Sequence, residues 1–209
     1  FIQASGIPPQ DQELLAALWP DEVVSSGSVK RAVKSARRVL DERADSPITI
    51  RSVPEVGDVA ITADILRSLG VAVDHDEAAG TITVEPHDGV TTQVPLEFSG
   101  LNRIPILLLG PLLHRTGEAF VPLVGGDPIG RRPVDFHIQA LTALGAEIEV
   151  RDDGIVAKAS RLRGARIELP YPSVGATETV LLSATLAEGR TVLRNAATEP
   201  EVIELALFL

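Results

Sequence analysis

The chain contains no cysteine, which excludes disulfides, thiol nucleophiles and every metal site built on thiolate. Its four histidines are scattered with no ligand spacing, so neither a metal nor another cofactor is expected. Aromatic residues make up 3% of the 209 positions, against 44% hydrophobic residues overall. The core must therefore be aliphatic, and short Val, Ile, Leu and Ala runs flanked by Gly and Pro suit a mixed α/β protein better than a helical bundle. There is no low-complexity tract and no apolar run long enough to cross a bilayer. Pro8, Pro9, Asp11, Glu13, Pro20, Asp21 and Glu22 interrupt any signal-peptide core in the first thirty residues; a cytoplasmic protein without a membrane partner is the expectation. Positive charge is scarce as well. With 19 Lys and Arg against 29 Asp and Glu, the net charge is −10 and the pI about 4.9, which argues against a nucleic-acid partner bound by phosphate neutralisation.

The cations that are present cluster. Lys30, Arg31, Lys34, Arg37 and Arg38 fall within nine positions, and Arg131 and Arg132 are adjacent. Local basic sites on an acidic body suit a small anionic ligand. Arg131 and Arg132 belong to "LVGGDPIGRRPVDFHIQALTALG", where glycines at 125, 126 and 130 make the backbone permissive beside Asp127.

That stretch is one of three related segments. "PITIRSVPEVGDVAITADILRSLGVAVD" begins at Pro47, "AFVPLVGGDPIGRRPVDFHIQALTALGAEIEV" at Ala119 and "RTVLRNAATEPEVIELALFL" at Arg190. Each reads as a strand, a Pro- or Gly-containing turn and a helix that starts near an acidic residue. The first two then share "LG", with Gly70 and Gly145 separated by 75 positions, and the third reaches Leu209 before its own "LG". The pairs "VAVD"/"TITVE" and "AEIEV"/"IVAKA" predict hairpins. Further helices are expected at "VKRAVKSARRVLDERA", "RIPILLLGPLLHRTG" and "ATETVLLSATLAEG". The second of these is apolar nearly all round and should be buried on most sides.

From residue 102 to 209, "LLLGPLL", "RPVDFHI", "LGAEIEV", "PSVGATE" and "NAATEPEV" occur in an order and spacing that resembles the UDP-N-acetylglucosamine enolpyruvyl transferase family. The likeness is moderate over residues 47–84 and weak before them. It implies an α/β fold, an inside-out, barrel-like domain of repeated βαβαββ units with buried helices, one of the family's two domains. On that pattern residues 1–28 are an N-terminal segment belonging or linking to the second domain, and residues 29–209 are the enolpyruvyl-transferase-like domain with its third repeat incomplete. The implied reaction moves the enolpyruvyl group of phosphoenolpyruvate to the 3-hydroxyl of UDP-N-acetylglucosamine, opening peptidoglycan synthesis.

The resemblance also implies roles for particular residues. Asp127 stands where most of the family has a cysteine that acts in proton transfer and is alkylated by fosfomycin. A carboxylic acid can deliver that proton if its surroundings keep it protonated, and without a thiol the drug has nothing to alkylate. Lys30 in "SSGSVKRA" stands for the family lysine of "SGAKNA", and Arg31 replaces the asparagine. Arg103 and Arg132 match phosphate-contacting arginines. Pro133, Val134, Asp135 and His137 match the uridine side, and Ser173, Val174 and Gly175 open a helix able to cradle a diphosphate. Taken singly, Asp127 reads as a loop cap and His137 as a satisfied histidine; joint order and spacing favour the functional roles. Two alternatives stay open: transfer to another acceptor, such as a nucleotide or shikimate phosphate, and a degenerate, non-catalytic nucleotide-sugar-binding domain. The implied partners are the two small-molecule substrates, with a missing second domain or self-association completing the site.

Overall fold

The computed structural model describes residues 47–85, 89–126 and 133–209. By its contacts the chain divides into one compact unit, Ala44–Ala197, and another that contains Thr198–Leu209.

Within the larger unit the sequence repeat is a structural repeat. Strand β1 (Ile48–Arg51), helix α1 (Gly57–Ser68), β2 (Val73–Asp76) and β3 (Thr81–Val84) follow one another, and the three strands form an antiparallel sheet ordered β1-β3-β2. Strand β4 (Glu118–Pro122), helix α4 (Asp135–Ala143), β5 (Glu147–Val150) and β6 (Gly154–Lys158) repeat the arrangement as β4-β6-β5. Between the two copies lie a 3-10 turn at Leu96–Phe98 and helices α2 (Ile104–Leu107) and α3 (Leu109–Thr116). Gln93 bridges Phe120 in parallel, so the chain runs from that bridge through α2 and α3 into β4. Strand β7 (Arg166–Glu168), helix α5 (Val174–Ala184) and β8 (Val192–Arg194) repeat this second arrangement as a parallel pair joined by a helix.

The two "LG" sequences end their helices in the same way. Gly70 and Gly145 have φ of 93° and 99°, values that glycine adopts at little cost. Their amides bond to Arg67 and Thr142 carbonyls, and the next residues, Val71 and Ala146, bond back to Leu66 and Leu141. The 75-residue repeat is thus carried by hydrogen bonds as well as by letters.

From sequence, "RIPILLLGPLLHRTG" is one helix; the structure breaks it at Leu108. Pro111 lacks the N–H that would reach the Leu107 carbonyl, and its ring crowds that oxygen, at a cost of about 3 kcal/mol inside a helix. Restarting at Leu109 puts Pro111 in a first turn, where no donor is needed. The expected burial holds, because Ile106, Leu109, Leu112 and Leu113 are each 4% exposed or less. At roughly 2 kcal/mol per buried leucine, that packing outweighs the break.

These helices, with α1, α4 and α5, share an aliphatic core with the sheets that includes Ile65, Leu69, Val121, Leu141, Leu144, Ile155, Leu162, Leu169 and Val180. Helix α5 carries buried Thr177, Thr179 and Ser183 into it. Each hydroxyl is satisfied: Thr177 donates to the Ser173 carbonyl (2.8 Å) and accepts from the Ala197 amide (3.0 Å). Ser183 donates to the Thr179 carbonyl (2.6 Å). Gly110 lies so close to Ser183 that a Cβ would overlap its Oγ.

In the second unit, α6 (Pro200–Phe208) starts with Pro200 in its first turn and buries Val202.

Candidate active site

Three helix starts meet on one side of the larger unit. Arg103 enters α2, residues 133 and 134 enter α4, and Ser173 is the N-cap of α5. The Arg103 guanidinium donates to the Pro133 carbonyl through Nη2 at 3.2 Å. In the first turn of α5, an ideal Cβ on Gly175 would stand 3.1 Å from Cε1 of His137. The glycine therefore lets the α5 backbone lie against the imidazole, and a side chain there would push the ring aside.

His137 itself is 3% exposed. Its Nδ1 shares a hydrogen bond with Thr179 Oγ1 at 2.7 Å, joining α4 to α5. Burial, then the nearby Arg103 cation, hold its pKa down at about 4, partly opposed by the Asp135 carboxylate. At neutral pH the ring is uncharged and belongs to the scaffold of the junction.

Ser173 accepts a long 3.4 Å hydrogen bond from the Ala176 amide through Oγ, an ordinary N-cap contact. Helix geometry leaves the first-turn amides of Val174 and Gly175 without intrahelical acceptors. Asp135, exposed in the first turn of α4, favours that terminus electrostatically. The structure thus brings together Arg103, Pro133, Val134, Asp135, His137, Ser173, Val174 and Gly175. Lys30, Arg31, Asp127 and Arg132 lie outside the described residues.

One central residue has no assigned role in the sequence pattern. Asn102 is 3% exposed, and its Nδ2 donates to Asp58 Oδ1 at 3.1 Å. Its Oδ1 accepts from the Ile104 amide at 3.1 Å, and its carbonyl accepts from the Gly125 amide at 3.0 Å. The available signal was an Asn two residues ahead of a helix, where such a side chain tends to bond nearby backbone amides; it gives no hint of the other two bonds. Thr179, the partner of His137, was equally silent.

A separate groove of about 780 Å³ is lined by residues 91–96, Phe120, Arg151, Lys158 and neighbours, and includes none of the predicted site residues. Among the described residues, no group of three or more His, Asp or Glu could hold a metal, and no helix is long and apolar enough to cross a membrane.

The arrangement can hold an anion at converging helix starts beside a guanidinium. The model of the EPSP synthase (3-phosphoshikimate 1-carboxyvinyltransferase) family matches residues 39–209. The chain belongs to this family. Among its curated relatives, the UDP-N-acetylglucosamine 1-carboxyvinyltransferase of Chlamydia pneumoniae is 46% identical over 190 residues, covering 90% of this chain and 41% of the relative. The Protochlamydia amoebophila protein of the same name is 49% identical over 172 residues, covering 79% and 37%. The chain therefore spans about two fifths of the length of these relatives. Among solved structures, the enolpyruvyl transferase NikO from Streptomyces tendae superposes with a TM-score of 0.66 at 20% identity, covering 87% of this chain and 42% of that one. EPSP synthase from Acinetobacter baumannii gives 0.59 at 19% identity, covering 84% and 40%. The fold is that of the enolpyruvyl transferases.

Proposed function

We propose that this chain is part of an enzyme that transfers the enolpyruvyl group of phosphoenolpyruvate to the 3-hydroxyl of UDP-N-acetylglucosamine, releasing phosphate. The observation that carries this reading is the contrast in identity. Likeness reaches 46–49% with relatives named for the UDP-sugar, against 19–20% with the solved NikO and EPSP synthase structures, whose likeness by itself shows the fold. The junction of α2, α4 and α5 supports it, because a nucleotide sugar offers the diphosphate that helix starts and Arg103 can hold.

On this reading the acceptor hydroxyl gives up its proton to a base as its oxygen bonds to C2 of phosphoenolpyruvate, while Asp127 delivers a proton to C3. Loss of phosphate and of a proton from C3 then restores the double bond. Arg103 and Arg132 bind phosphate groups, and Lys30 with Arg31 hold phosphoenolpyruvate and the sugar. Pro133, Val134 and Asp135 lie beside the uridine; His137 contributes by fixing α4 against α5, so that Ser173, Val174 and Gly175 face the diphosphate. The base that takes the acceptor proton and further arginines come from a second domain, or from another molecule that completes the site. The domain plan of residues 1–28 and 29–209 belongs to the same proposal, as do a cytoplasmic location and a role in building the cell wall.

The test is phosphate release from phosphoenolpyruvate by the intact gene product containing this chain. Release that requires UDP-N-acetylglucosamine and falls at least about 100-fold in Asp127→Asn is expected. An unchanged rate in that variant would remove the proton-transfer role, and release driven by shikimate 3-phosphate instead would replace the acceptor.

A further inference from the structure

We infer that Asn102 is a positioning residue, and that its bond to Asp58 is what registers the Arg103 helix start against residues 123–125; this rests on the function proposed above. Asn102 is the point at which three separate parts of the chain are tied. Its amide reaches the first turn of α1 through Asp58, 44 residues away. Its Oδ1 accepts from the amide of Ile104, the first residue of α2, immediately after Arg103. Its backbone carbonyl takes the Gly125 amide, and the Gly100 amide gives a second bond, at 2.8 Å, to the Leu123 carbonyl.

The two segments so joined are pressed together. A Cβ on Gly125 would overlap the Gly100 carbonyl oxygen, and Gly100 itself has φ of 75°. Glycine is needed at both positions, one for close approach and one for a left-handed backbone. Such a contact has little slack, so the orientation of Asn102 sets where Arg103 leaves the chain relative to residues 123–125. A carboxamide suits this role because one end donates and the other accepts. Asp58 is exposed and Asn102 buried, so the pair is anchored from the inside.

The polarity of the pair supplies the test. Asn102→Asp keeps the acceptor for the Ile104 amide but turns a carboxylate toward Asp58, whereas Asp58→Asn combined with Asn102→Asp restores donor and acceptor with their ends exchanged. In the intact gene product, Asn102→Asp is expected to lower kcat/KM for phosphoenolpyruvate about 100-fold, the scale of an ångström-level misplacement. The double variant is expected to recover most of it. Exchange of the Gly125 and Ile104 amides should accelerate in the single variant and slow again in the double. Asp58→Ala, altered at an exposed position, provides a milder loss in the same direction should Asn102→Asp fold poorly. A double variant as impaired and as fast-exchanging as the single would overturn the inference. Coupled exchange with unchanged turnover would overturn it too, while leaving the proposed function intact. Exchange that follows the pair in a protein without enolpyruvyl transfer would instead overturn that function, and with it the part given to Asn102.

Discussion

His137 gives the larger unit a titration that can be worked out in advance. Its folded pKa is about 4, held down by burial and then by Arg103, against about 6.5 in the unfolded chain. The unfolded state takes up the proton first, so neutral His137 contributes fully above pH 6.5, and that contribution is lost as pH falls from 6.5 towards 4. The whole effect is about 3 kcal/mol, at 1.36 kcal/mol for each unit of difference. Between pH 7 and pH 5 the linkage relation gives a loss of about 2 kcal/mol. His137→Gln has no such titration, whatever its own stability. Urea unfolding of both proteins at the two pH values should show wild type losing about 2 kcal/mol more than the variant. Equal losses would mean that His137 is not held neutral, and that its place between Arg103 and Thr179 is misread.

Two further outcomes follow from the same packing and chemistry. Gly110→Ala forces its new methyl against Ser183, whose hydroxyl is already committed to Thr179; a loss of about 2 kcal/mol in unfolding free energy, read as a lower urea midpoint, is expected, and an unchanged midpoint would show that α3 and α5 are less closely packed. With no cysteine in the chain, fosfomycin should leave the mass of this chain unchanged and cause no time-dependent inactivation through it; an adduct on residues 1–209 would refute the reading of Asp127 as the thiol's replacement.

The fold was readable where one residue type enforces one backbone. "LG" predicted the two helix ends because a residue with φ near 95° closes both. Alternating Val and Ile predicted the hairpins β2–β3 and β5–β6. The break at Leu108 was missed because the apolar pattern runs through it, and only the demand of Pro111 on the Leu107 carbonyl decides it. The helix starts of the site were readable from Ser173 and from the Pro133 to His137 run. Their ties were not: Asn102 meets Asp58 across 44 residues, and His137 meets Thr179 across 42. Asn and Thr are common polar residues in any sequence, and only the tertiary fold shows which of them are buried partners.

Calorimetry of this chain with UDP-N-acetylglucosamine tests the central claim most directly. Binding in the millimolar range or tighter is expected, weakened by Arg103→Ala and not reproduced by UMP alone. Binding of UMP with none of the nucleotide sugar, or heats indifferent to Arg103, would contradict the account.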